Sequence, residues 1–136
     1  MDKPYTLKAV EDEIIRLHIF FEDWFNGTID YNDESFAQFS GSMGPSFTMV
    51  SPGGVLISRD QITQSLYGAY RQRLGIRISI YRAKILYQSD SHILAAYEEW
   101  QTYQGERKGR LSSVLFSKEK ARLVWLHVHE TWLPTN

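Results

Sequence analysis

Between Thr6 and Asn26, apolar side chains recur at Leu7, Val10, Ile14, Leu17, Phe21, Trp24 and Phe25. Steps of three and four put them on one face of an α-helix, and Gly27 stands where a left-handed residue would end it. Asp30 is placed to cap a short second helix carrying Phe36 and Phe39. Phe47–Val50 reads as a strand, Ser51-Pro-Gly-Gly54 as a turn, and Val55–Ile57 as the partner strand. Ser58 followed three residues later by Gln61 forms a capping box. It predicts a third helix with Ile62, Leu66, Ala69 and Tyr70 on its inner side and Gly75 at its end.

After Gly75 the period becomes two. Ile76, Ile78 and Ile80 alternate with Arg77, Ser79 and Tyr81, and the strand runs to about Tyr87. Ser89-Asp-Ser91 and Gly105–Gly109 turn the chain into strands His92–Tyr103 and Arg110–Ser117. Lys118-Glu-Lys120 then leads into the last strand, Leu123–Thr131. Helices first and long strands last predict an α+β fold. The expected architecture is a cone-shaped, curved antiparallel sheet, made of a short N-terminal hairpin and a four-strand meander, packed against three N-terminal helices. No repeat, linker or low-complexity tract interrupts it, so residues 1–136 read as a single domain.

The last strand carries the candidate chemistry. Strict alternation puts Leu123, Trp125, His127, His129 and Thr131 on one face, and Val124, Leu126, Val128, Glu130 and Trp132 on the other. The first face, with two imidazoles and a hydroxyl, suggests the wall of a lined cavity. The second, extended by Leu94 and Trp100, forms an apolar row that a second copy of the chain would cover, which predicts a homodimer. His127 and His129 would hold a metal only with a third ligand, for which Glu99 or His18 are candidates. They would equally serve as wall fixtures bonded to neighbouring strands and to Ser112, or act on a ligand, since imidazole titrates near neutral pH.

On the second long strand, Glu99 shares a face with Tyr97 and Gln101. A carboxylate among aromatic groups acquires a raised pKa and suits general-base work; the structural alternative is an ion pair with Arg110 or a histidine. A bulge would bring Glu98 inward instead. His18 falls on the apolar stripe of the first helix, either as a satisfied core group or within reach of the cavity. Trp24, Phe47, Met49, Tyr70 and Phe116 read as core or apolar wall, and Arg71, Arg73 and Arg77 as a solvated face.

Composition narrows the function classes. A net charge of −1 disfavours nucleic acid, where phosphate contacts need a basic excess. No apolar run approaches the roughly 20 residues of a membrane span, so no membrane association is expected. The absence of cysteine removes disulfides, thiolate metal sites and cysteine nucleophiles, and fits a cytoplasmic location. No phosphate loop or nucleophile elbow is present, and neither a metal nor a cofactor is expected.

Two segments go beyond element order. Phe47-Thr-Met-Val-Ser-Pro-Gly-Gly-Val-Leu-Ile-Ser-Arg-Asp60 and Trp125-Leu-His-Val-His-Glu-Thr131 resemble the hairpin-to-helix passage and closing strand of the nuclear transport factor 2-like superfamily, the fold of ketosteroid isomerases and SnoaL-like cyclases. The closing strand also resembles that of the kinase association domain. Where that domain has Tyr-x-Arg this chain has Tyr97-Glu-Glu99, with Arg110 as the nearby cation. The superfamily contains isomerases, dehydratases, cyclases, hydrolases and non-catalytic dimerisation modules. The resemblance therefore implies an interior pocket for a small molecule, with isomerase-, dehydratase- or cyclase-type acid/base chemistry as one use of it. Glu99, His127 and His129 would be the catalytic groups, and Tyr97, Arg110, Ser112, Trp125, Phe116, His18 and Trp24 the ligand-binding ones. The alternative is a non-catalytic dimerisation or assembly module of the same fold.

Overall fold

The computed structural model describes residues 4–134. Helix α1 (Leu7–Asn26) starts at Thr6, whose side chain accepts the Ala9 N–H at 3.1 Å, and ends at Gly27 with φ 67°. The Arg71 side chain runs through the space a Cβ on Gly27 would occupy, so glycine is required there twice over. Helix α2 (Asp33–Ser40) is capped by Asn32 rather than Asp30, with the Ser35 N–H donating to its side chain at 2.8 Å.

Helix α3 (Arg59–Tyr67) has both halves of the expected capping box between Ser58 and Gln61. It stops at Tyr67, well short of Gly75, leaving Ala69 and Tyr70 beyond the helix. Two backbone amides of the next segment donate to the free end of α1: Arg71 to the Trp24 carbonyl and Arg73 to that of Phe25. Carbonyls in the last turn of a helix lack intrahelical donors, and satisfying them here competes with continuing α3.

Six strands follow the order β2-β1-β6-β5-β4-β3 in one curved sheet: β1 (Met43–Val50), β2 (Leu56–Ser58), β3 (Arg77–Gln88), β4 (His92–Tyr103), β5 (Glu106–Glu119) and β6 (Arg122–Trp132). The fold is α+β, as expected, but the sheet is mixed rather than wholly antiparallel. β1 lies parallel to β6, with Thr48 opposite His127 and Val50 opposite His129. Parallel neighbours need a long crossover, and everything from β2 to β5 supplies it.

The inner face of the sheet packs against α1. Val10, Ile14, Leu17 and Phe20 meet Ile93, Ala95, Val114, Phe116 and Trp125 in one buried cluster. Trp24 is fully buried beside Phe20, Phe36, Tyr67 and Tyr70, and its indole N–H donates to the Leu66 carbonyl at 2.7 Å.

One irregularity decides the rest. Leu115 pairs with His127, but its neighbour Phe116 pairs with Trp125, so Leu126 is an extra residue in β6. A bulge reverses the alternation beyond it. Leu123 and Trp125 face inward on one side of the bulge, and Val128 and Glu130 do so on the other. His127, His129 and Thr131 therefore face outward, opposite to the expectation from strict alternation. Trp132, expected on the outer row, instead lies against Arg110, whose guanidinium carbon is 5.3 Å from the ring centre.

Candidate functional site

A cavity of about 150 Å³ lies between the helices and the inner face of the sheet. Its apolar side comes from five elements: Leu17, Phe21 and Phe25 on α1, Phe39 on α2, Met43, Phe47 and Met49 on β1, Ile62 and Leu66 on α3, and Trp125 and Val128 on β6. Its polar side is formed by His18, Tyr97, Glu99, Gln101, Arg110 and Glu130, with Arg73 added from the segment after α3.

The polar side is built on alternation in β4 and β5. Tyr97, Glu99 and Gln101 share the inner face of β4, and Arg110 lies directly opposite Glu99 on β5. His18, near the middle of α1, reaches across to them. Its Nε2 is 3.1 Å from Glu99 Oε1, and its Nδ1 is 2.7 Å from the Ile14 carbonyl. A carbonyl only accepts, so Nδ1 carries a proton, and the carboxylate is matched by a second proton on Nε2. His18 is therefore an imidazolium. Burial pulls its pKa down, but the Glu99 charge, the bonds to Glu99 and Ile14, and the Glu130 charge together raise it.

Glu99 departs from the expectation of a raised pKa. Burial does push its carboxyl up, but His18, Arg110 and the Gln101 amide, which donates to Oε2 at 2.6 Å, outweigh burial and hold it at about 2. The ion pair with a histidine, the structural alternative, is what forms. Glu130 behaves in the opposite sense. Burial and the nearby Glu99 charge raise its pKa, against the opposing pull of Arg110, which donates to Oε1 at 2.9 Å. Tyr97 is pushed well above its ordinary value by burial, then by Glu99 and Glu130, and stays a neutral phenol.

Five of the ten candidate residues line the cavity: His18, Tyr97, Glu99, Arg110 and Trp125. Ser112 stands behind it, fully buried, with its hydroxyl donating to Glu130 Oε2 at 3.4 Å. Phe116 packs edge-on against Trp125 at 4.8 Å, and Trp24 belongs to the aromatic cluster beyond Phe20. His127 and His129 are outside. The Thr48 hydroxyl lies 2.8 Å from His127 Nδ1 on the outer side of the β1–β6 pair, and His129 is exposed. The metal reading fails with them, because the sheet separates both rings from His18 and Glu99.

Glu130 and Arg73 are the groups that sequence reasoning missed. Alternation alone puts Glu130 on the opposite face, since no glycine or proline near Leu126 signals the bulge. The cluster Arg71, Arg73 and Arg77 suggests a solvated face for Arg73. Instead its guanidinium carbon lies 5.6 Å from the Phe25 ring centre and 5.0 Å from that of Tyr103, and its Nη1 is 3.4 Å from Gln101 Oε1.

Over residues 10–134 the chain matches the family described as Sucrose-6-phosphate phosphohydrolase C-terminal, and it belongs to that family. Sucrose-phosphatases 1 and 2 of Nicotiana tabacum are 29% and 27% identical to it over 128 residues, which is 89% of this chain and 30% of each of theirs. The chain thus spans less than a third of the length of these curated relatives. An NTF2-like protein of unknown function from Pseudomonas aeruginosa superposes with a TM-score of 0.86 at 27% identity, covering 93% of this chain and 99% of its own. The association domain of CaMKII from C. elegans gives a TM-score of 0.65 at 18% identity, over 91% of this chain and 96% of its own. A candidate dehydratase of the NTF2-like family from Streptomyces avermitilis gives 0.71 at 15%, over 95% and 96%. At such identities the last two share the fold alone. The chain has the NTF2-like fold, which catalytic and assembling proteins both use.

Proposed function

We propose that this member of the sucrose-6-phosphate phosphohydrolase C-terminal family is a small-molecule-binding domain, whose cavity holds a partly apolar ligand between α1 and the inner face of the sheet. The observation that carries this reading is the cavity's division: a largely aromatic and methionine wall faces a cluster of polar and charged side chains. Sites with an apolar lining and a few convergent polar groups are the usual form of ligand pockets.

Binding is favoured over acid/base turnover. A general base needs a free lone pair and a pKa near the working pH. Glu99 lies at about 2 with both oxygens engaged, and His18 has both nitrogens engaged. The tobacco relatives are named sucrose-phosphatases, which raises a sugar as ligand. The volume argues against enclosing one: a dry cavity of this size takes a benzene-sized molecule, and drug-sized ligands need roughly 300–1,000 Å³.

The test is a thermal-shift and ligand-observed NMR screen of single-ring compounds against the wild type and the cavity-filling Met49→Trp. Compounds that stabilise the first and not the second support the reading. If no compound at millimolar concentration distinguishes the two proteins, the cavity is not a binding site.

A second reading, assembly of two copies through the outer sheet face, is favoured by a specific observation. Leu94 and Leu115 sit opposite each other there, half-buried, and Leu111 is 47% exposed. This row differs from the one read by strict alternation, since Val128 now lies inside and Leu126 packs beside Gly44. Light scattering of wild type and Leu111→Glu tests it: a dimer reduced to monomer by the substitution supports pairing, and a monomeric wild type at micromolar concentration rules it out.

A further inference from the structure

The charges around the cavity do not cancel. His18 is paired with Glu99, and Arg110 with Glu130 at 2.9 Å. Arg73 also lines the cavity but has no carboxylate within ion-pair distance among the described residues. Its side-chain hydrogen bond among the described residues goes to the neutral Gln101 side chain, at 3.4 Å. Arg73 is not a loose surface arginine, because its backbone N–H is bonded to the Phe25 carbonyl and its guanidinium stands between the Phe25 and Tyr103 rings.

From this we propose that the ligand of the cavity is a small monoanion with an apolar body, an aryl or short alkyl monocarboxylate, whose head pairs with Arg73. The inference rests on the binding reading above and specifies the ligand's chemistry. Three observations converge on it. The unmatched charge is a single positive one, so one negative charge restores neutrality in a largely apolar site. Guanidinium is planar, with five donors in a fork that fits a carboxylate, and at most one of the five is engaged here. The volume of about 150 Å³ admits one ring or a short chain behind the head group, against Phe21, Phe39 and Met49.

The other cations at the site are less suited to this role. Arg110 donates to Glu130 and stacks beside Trp132. His18 has both nitrogens occupied. A dianion such as a phosphate monoester would face Glu99 and Glu130 with only one unmatched cation to offset two charges. A neutral polyol would leave the Arg73 charge without a counterion.

The experiment titrates the protein with benzoate, benzamide and benzylamine by calorimetry, at low ionic strength and pH 7. The proteins are wild type, Arg73→Gln, Arg73→Lys and the exposed control Arg71→Gln, each first shown to be folded by thermal melting. Charge-assisted hydrogen bonds are worth about 1.5–3 kcal/mol, so benzoate should bind roughly ten- to a hundredfold more tightly than benzamide. That preference should vanish in Arg73→Gln, shrink but persist in Arg73→Lys, and be unchanged in Arg71→Gln. Equal binding of benzoate and benzamide, or a preference that survives Arg73→Gln, overturns the anion assignment while leaving the cavity as a binding site. If none of the three compounds binds the wild type, and the wider screen is also blank, the binding reading itself falls. Should Arg73→Gln fail to fold, the wild-type ranking and Arg73→Lys still decide, because a neutral-ligand site would show no preference in either.

Discussion

His18 Nε2 lies 3.1 Å from Glu99 Oε1, with both side chains almost wholly buried, so one ion pair fastens the middle of α1 to β4. The two residues are 81 positions apart in the chain. Their link makes the polar side of the cavity part of the fold's own stability, and substitutions there act on folding before they act on any ligand.

Removing either partner should therefore have unequal effects. His18→Ala leaves a buried carboxylate with Gln101 as its hydrogen-bond partner and Arg110 as the remaining nearby cation, and breaking a buried pair from one side typically costs about 3–5 kcal/mol. Glu99→Gln is milder, at about 1–3 kcal/mol. There the new amide donates to the Nε2 of a neutral His18, while Nδ1 keeps its bond to Ile14. Urea unfolding of both variants checks this, and the reverse order would contradict an ionised pair.

The pH dependence of stability follows from the same groups. Glu99 has a depressed pKa, so its contribution is complete above its ordinary 4.5 and is lost as the pH falls toward about 2. His18 has a raised pKa, so its contribution is complete below its ordinary 6.5 and is lost as the pH rises through its folded value. Glu130, also raised, acts in the opposite sense: its contribution is lost as the pH rises from its ordinary 4.5 through its folded value. Melting temperature measured across pH 2–9 should decline at both ends, and His18→Gln should lack the alkaline decline attributable to His18.

The outward imidazoles should matter little to the cavity. His129 is exposed, so His129→Ala should stay within about 0.5 kcal/mol of wild type. His127→Ala should cost about 1 kcal/mol through the lost bond to Thr48. Neither should change the affinity of a cavity ligand in a calorimetric titration. A large loss of affinity in either variant would place those rings at the site after all.

Gly109 is a sharper probe of the outer face. A Cβ there would stand 2.6 Å from the Trp100 ring. That ring has little room to yield, since its N–H donates to Glu98 at 2.9 Å and the Arg107 guanidinium carbon lies 4.1 Å from its centre. Gly109→Ala should destabilise by about 1–3 kcal/mol and alter tryptophan fluorescence. Gly53→Ala, where the nearest atom is the flexible Ser51 hydroxyl at 4.0 Å, should do neither.

The amino-acid sequence by itself determined the features that depend on neighbours in the chain. The α1 stripe, its end at Gly27, the Ser58–Gln61 capping box, the order of three helices and six strands, and the shared face of Tyr97, Glu99 and Gln101 all follow from local periodicity and cap chemistry. Tertiary structure alone decided four others: the faces of His127, His129, Val128 and Glu130, the parallel pairing of β1 with β6, the early stop of α3, and the inward place of Arg73. The bulge at Leu126 arises between two strands, where register with β5 and β1 outweighs alternation within β6. Arg73 is held by carbonyls and rings from α1 and β4, and Glu99 took its proton affinity from a histidine on another element. Periodicity reports what a residue's chain neighbours impose. Which way a strand turns after a bulge, and which charge meets which, is settled by partners far along the chain.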